Sequence, residues 1–265
     1  MSKVLYIALA IIIVSSILAP SISPYDPDEI NLDAIKMPPS FNHPFGTDNK
    51  GRDILSRVLY GGRISLSVAL IAAIFSISIG LFIGLVAGYT GGWMDTALMA
   101  LTDFVLSFPA LLLAIGISII MPPGIYTSMI AISATGWASF ARLIRGYILS
   151  IKELPYIEAA KAIGCNDWRI IFSHIMPQCI PLSLVMAGLK LGGFILTEAS
   201  LSFLGLGVQP PTPSWGSMIS SSRVFILSAP WTVIFPGLAI SITALCFNLI
   251  GDILREKYGF KQIQA

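Results

Sequence analysis

Charge is what this sequence has least of. Only 11% of its 265 residues are Asp, Glu, Lys or Arg, against about 25% in an ordinary soluble domain. With 55% hydrophobic residues and a mean hydropathy of +0.82, too few charges remain to cover a water-facing surface. A soluble body and a disordered chain are both excluded, and most of the chain is expected in lipid. The net charge of +2, with no Lys/Arg cluster, leaves no footprint for nucleic acid. Three cysteines, Cys165, Cys179 and Cys246, are an odd number without metal-ligand spacing, so they read as apolar fillers. There are two histidines, His43 and His174, expected in loops on opposite sides of a membrane and so unable to form a paired site. The chain also lacks a Gly-x4-Gly-Lys-Ser/Thr phosphate loop, a His-Glu-x-x-His pair and a Gly-x-Ser-x-Gly elbow. An enzyme would have little to work with, and a transport or scaffold role is left.

What is present is a series of long gaps between charges, and a spanning helix needs about 20 mostly apolar residues. The gaps run from Val4 to Tyr25, from Ile64 to Met94, from Ala97 past Asp103 to Ala141, from Ile180 to Leu206, and from Thr232 to Ile250. The third is too long for one helix and is broken by Met121-Pro-Pro-Gly124, a turn signal, so it is expected to be two spans joined by a hairpin. The expectation is an all-α integral membrane protein of six spans. The first is read as uncleaved, because no small-x-small site precedes a soluble domain; a secretory signal is the alternative. Residues 1–63 would be the first span and an outer loop, and 64–265 the core, with a polar loop at about 142–178. With both ends inside, Lys3, Arg142, Arg145, Lys152, Lys161, Arg169, Arg255, Lys257 and Lys261 outnumber Lys36, Lys50, Arg52, Arg57, Arg63 and Arg223 outside, as the positive-inside rule favours. Gly80, Gly84 and Gly88, and again Gly188 and Gly192, recur at intervals of four and predict faces where helices approach closely.

The polar loop is the most informative segment. Pro155 can start a helix over Tyr156 to Ile163, Gly164 can end it, and Asn166 or Asp167 can cap a second helix, Trp168 to Met176, that Pro177 stops. By physics alone, a docking site and an interfacial hairpin fit equally well. The wording Glu158-Ala159-Ala160, Gly164, then His174-Ile-Met-Pro177 resembles the cytoplasmic loop motif of ABC importer permeases. His174 and Met176 stand where the broad family usually has Ile and Leu, and His there looks like the peptide and nickel branch. The resemblance continues through His43 to Arg57, Leu59 to Leu66, Trp137 to Gly146, Thr197 to Gly207, Pro210 to Gly216 and Phe247 to Asp252. The chain is thus similar to C-type permeases of dipeptide, oligopeptide and nickel importers.

That resemblance implies the type I importer permease fold in the cell membrane, a second, B-type permease, two ATPase subunits and an extracytoplasmic binding protein. The ATPases would bind ATP and Mg, and this chain no cofactor or metal. Glu158, Ala159, Ala160, Lys161, Gly164 and Asp167 would form the coupling helix. Charges inside spans are costly toward lipid, about 2.5–3.5 kcal/mol each. Glu198, Lys190 and Asp103 are therefore candidates for the translocation path, with structural hydrogen bonds the alternative for Glu198 and a helix contact near the interface for Asp103. Asp48, Arg52 and Asp53 are candidate contacts for the binding protein, or else pair among themselves to order the outer loop. A self-contained secondary transporter would need inverted repeats that are not evident, and a scaffold would leave the polar loop unexplained.

Overall fold

The computed structural model describes residues 2–258. The end of the tail, with Lys261, lies outside the described residues, as do the side chains of Lys3 and Lys257. The chain is all helix, without a strand among the described residues. In order, the helices are α1 Ser2–Ile17, α2 Ala19–Ile22, α3 Ile54–Thr90, α4 Gly92–Ser107, α5 Ala110–Ile120, α6 Ile125–Ile151, α7 Pro155–Ala162, α8 Asp167–Ile170, α9 Met176–Phe203, α10 Trp215–Ser222 and α11 Trp231–Tyr258. Three stretches are long and apolar enough to cross a membrane: Ile54–Thr90, Asp167–Phe203 and Trp231–Glu256; α4 and α5 would make a fourth if counted as one bent span.

The packing inverts that of a soluble protein. Along α3 most of the buried positions are small, among them Gly61, Gly62, Ser65, Ala69, Ala72, Ala73, Ser76, Gly80, Gly84, Ala87 and Gly88. Ile74, Phe75 and Phe82 point outward. Without a hydrophobic drive between helices in lipid, close backbone approach is what holds them, and small residues allow it. A Cβ on Gly80 would stand 2.4 Å from Phe140 Cβ, one on Gly84 2.7 Å from Ile144 Cβ, and one on Gly88 2.9 Å from Ile148 Cβ. Both rows advance by four, so α3 and α6 mesh as ridge in groove. Gly192 meets Asn248 and Ala244, and Gly188 approaches Gly251, which seats α9 on α11.

Two features depart from the sequence reading. The third span is not one helix: α4 and α5 meet at 91°. Pro109 lacks the donor that would continue α4, and it holds Phe108 extended (φ −90°, ψ 142°). Second, Pro177 does not end a helix. α8 runs through a π-turn at Ile171–Ile175 into α9, giving a continuous rod of 37 residues from Asp167 to Phe203. The wide turn gives the Pro177 ring room, and Pro177 and the later Pro181 each remove one donor only.

Between α2 and α3 the chain forms an ordered loop. Asp53 caps α3 through Ser56 N at 2.8 Å and takes Nδ1 of His43 at 2.9 Å. Arg57 donates to Asp28 Oδ1 at 2.9 Å and to Pro211 O at 3.3 Å, tying this loop to the one before α10. Trp231 Nε1 donates to Thr47 O at 3.1 Å, and Phe45 stacks on Phe235 at 4.0 Å.

Candidate functional site

The loop between α6 and α9 is built as a platform. Leu154 is extended ahead of Pro155, which opens α7 where a missing donor costs nothing. At the other end Gly164 takes φ +82°. Cys165 N donates to Ala160 O and Gly164 N to Lys161 O, both at 3.0 Å, the paired bonds of a glycine-terminated helix. Asn166 then caps α8 through Arg169 N at 2.9 Å. Ile157 and Ala160 turn inward onto Ile144, Ile148, Ile151, Ile170, Ile175 and Cys179, which fixes α7 against the end of α6. Glu158, Ala159, Lys161, Gly164 and Asp167 are exposed. Ala160, expected on the docking face, is instead buried, because α7 needs an inward anchor one turn from Ile157. Beside the exposed face stand Ile163, 82% exposed, and Trp168, 71% exposed. Trp168 stacks on Phe172 at 5.7 Å, and nothing in the sequence motif signalled that pair.

The platform is also tied to α3. Tyr89 Oη donates to Asp167 Oδ1 at 2.5 Å, and Lys161 Nζ lies 5.9 Å from the Tyr89 ring centre. A push on α7 or α8 would therefore reach α3, α6 and the α9 rod together.

The charges expected within the spans have different surroundings. Glu198 is fully buried. Its Oε2 accepts from Ser65 Oγ at 2.8 Å and its Oε1 from Ser202 Oγ at 2.7 Å. Ser65 Oγ in turn accepts from Trp215 N at 3.3 Å, and Ser202 Oγ from Val208 N at 3.2 Å. Glu198 thus sits at the junction of α3, α9 and α10, enclosed by protein. Asp103 pairs with Arg142, and both side chains are more than half exposed. Lys190 is half-buried and donates to Ser139 Oγ at 3.3 Å. One pair was missed: Arg145 grips Asp95 with two bonds of 2.7 Å, joining α4 to α6 across 50 residues of sequence. Their separation hides the partner, and in the sequence Arg145 reads as part of the polar loop, whereas the structure carries it within α6.

For Asp48, Arg52 and Asp53 the structure shows the second alternative, pairing within the loop, with Asp53 taking His43 as its partner. Asp48, Arg52 and Asp53 are at most 6% exposed, so their side chains are not offered to a binding protein. Asp48 holds Arg52 Nε at 2.7 Å and accepts from Lys50 N and Arg52 N at 2.7 and 3.0 Å. Loop closure consumes these charges because a long loop must satisfy its own backbone donors. Among the described residues no group of three or more His, Cys, Asp or Glu could hold a metal ion.

Residues 80–259 match the family described as binding-protein-dependent transport system inner membrane component. The dipeptide transport system permease protein of Alkalihalophilus pseudofirmus is 44% identical over 258 residues, 96% of this chain and 85% of that protein. The glutathione transport system permease protein of Pectobacterium atrosepticum is 44% identical over 234 residues, 88% of this chain and 78% of that protein. Among solved structures, the methionine ABC transporter in an inward-facing conformation shares the fold. Its TM-score is 0.60 at 18% identity, over 77% of this chain and 97% of that one.

Proposed function

This chain belongs to the family of binding-protein-dependent transport system inner membrane components, and from that membership we propose that it is a permease subunit of an ATP-driven importer of short peptides. The observation that carries the cargo class is the match along nearly the whole chain to permeases named for dipeptide and glutathione. Peptides are favoured over nickel or metal chelates on the same ground.

In this reading α1, the bent pair α4–α5, and α6 join the three long apolar helices to make six spans in the cell membrane, both ends cytoplasmic. The α7–α8 platform then faces the cytoplasm. One of two ATPase subunits, which hold the ATP and Mg, docks on Glu158, Ala159, Lys161 and the Trp168–Phe172 pair. Closure of the ATPases moves α7 and α8; the continuous α8–α9 rod carries that displacement into the spans, and the tie from Asp167 to Tyr89 brings α3 with it. A B-type permease completes the pathway, and a binding protein delivers the peptide from outside. Alternating access follows, with hydrolysis resetting the inward-facing state. This chain performs no catalysis.

Co-expression with the neighbouring subunits, purification and reconstitution test the reading. A stoichiometric ATPase partner and ATP-dependent uptake of dialanine are expected. A chain that purifies without any ATPase, and transports alone, overturns it.

A further inference from the structure

Two polar pairs from three helices are anchored on α6. Ser139 and Arg142 are one turn apart on α6 itself. Asp103 reaches Arg142 from α4, and Lys190 reaches Ser139 from α9 at 3.3 Å. Ser139 is one residue past the centre of Ile125–Ile151 and Lys190 five past the centre of the Asp167–Phe203 rod, while Asp103 lies four residues before the end of α4. Val105 and Leu106 pack against Trp137, Ala138 and Ala141, so the break between α4 and α5 at Phe108–Pro109 falls at the same level.

This region is unsuited to hydrocarbon for two independent reasons. An ion pair more than half exposed on both sides would cost several kcal/mol against lipid. The broken backbone at Ser107–Pro109, exposed throughout, is tolerated at membrane depth only inside protein or beside water. The charges do not balance, either. Asp103 answers Arg142, Asp95 answers Arg145, and Lys190 forms no ion pair among the described residues. Among the described residues the cluster therefore carries one uncompensated positive charge well inside the helices and near an interrupted one, the setting in which secondary transporters place their cargo sites.

Resting on the reading of the chain as a peptide importer's permease, we propose that Lys190, held by Ser139 and flanked by the Arg142–Asp103 pair, is a binding point for the carboxylate of the peptide in transit. The carboxylate supplies the missing counter-charge. Lys190 suits this task as a flexible point charge that can take and release an anion. Neutral Ser139, its one hydrogen-bond partner among the described residues, leaves that charge available to the cargo.

The test uses the complete importer in proteoliposomes, with dialanine as probe. Wild-type ATP-dependent uptake establishes the underlying reading; its absence is a failure of that reading and not of this one. Lys190→Gln should lower uptake at least tenfold while ATPase stimulation by the loaded binding protein stays within twofold of wild type. Lys190→Arg should recover uptake to within about threefold. A second variant reports on the site without depending on Gln. Lys190→Cys, in a background with the native cysteines replaced, should regain uptake on reaction with aminoethyl methanethiosulfonate, which restores a positive charge, and not with the uncharged methyl reagent. Uptake by Lys190→Gln within twofold of wild type overturns the proposal. So does equal loss of uptake and ATPase stimulation, or a cysteine at 190 that neither reagent reaches from water.

Discussion

Alanine at Gly80 should force α3 and α6 apart. The added methyl would lie 2.4 Å from Phe140 Cβ, 2.7 Å from Trp137 O and 3.0 Å from Ala141 N. Carbon contacts are comfortable at about 3.5–4.0 Å, so more than an ångström is missing. Two of the three neighbours are backbone atoms that cannot rotate aside. Relief requires the helix axes to separate by about 1 Å, and a gap of that size forfeits roughly a quarter to a half of each contact along the seam, including Gly84 on Ile144 and Gly88 on Ile148. Overpacking of this kind costs about 1–3 kcal/mol, offset by about 1 kcal/mol of helix propensity. The expected net loss is about 0–2 kcal/mol, toward the upper end because two of the three crowded neighbours are backbone atoms. Gly146, on α6 with open space around its would-be Cβ, is the control, and alanine there should gain up to about 1 kcal/mol. Adding Gly84→Ala to Gly80→Ala should cost less than the sum, since the first separation makes room for the second methyl. Loss of helical circular dichroism as SDS is titrated into mixed micelles measures the wild type, Gly80→Ala, Gly84→Ala, their double variant and Gly146→Ala. A Gly80→Ala midpoint at or above that of the wild type would refute close approach as the force joining α3 to α6.

Other outcomes follow from the same geometry. Glu198→Ala leaves Ser65 and Ser202 without their acceptor in a dry junction and should cost about 2–4 kcal/mol. Glu198→Gln keeps an acceptor and should lose less than half of that in the same titration; full transport by this variant would remove the charge from the mechanism. Trp168→Ala should leave the unfolding midpoint within experimental error of the wild type, because the ring is 71% exposed. It should weaken ATPase co-purification at least fivefold, and unchanged recovery would count against the α7–α8 platform as the docking face. Arg57→Met strips Asp28 and the Pro27 and Pro211 carbonyls of their donor and should cost about 3 kcal/mol. Limited proteolysis should then cut within residues 23–53 at least tenfold faster, and an unchanged cleavage rate would show that the loop is held by something else.

Much of this architecture was legible without coordinates. Gly80, Gly84 and Gly88 announced a tight seam by spacing, and Pro155, Gly164 and Asn166 announced the start, end and restart of the platform helices, because caps and turns act over a few residues. The order of the apolar stretches followed from the gaps between charges. The 91° break at Phe108–Pro109 was legible in principle, since a proline inside an apolar run marks a boundary, but the hydropathy on both sides concealed it. Pro177 misled in the opposite sense: a proline stops a helix only when nothing absorbs its missing donor, and the π-turn before it does.

The sequence by itself determined that this chain is helical and apolar, and its motifs identified its kind. Those properties reside in composition and in short-range pattern. Only the tertiary structure decided the fate of each charge. Asp48, Arg52 and Asp53 look alike in a loop whether they meet a partner or one another, and folding spent them on the loop itself. Glu198 and Lys190 are eight residues apart on one helix, yet one is enclosed with serines and the other has no counter-ion among the described residues. Pairing at that range depends on which helices become neighbours. That choice is made by glycine contacts tens of residues away, so no local reading of a carboxylate or an amine can supply it.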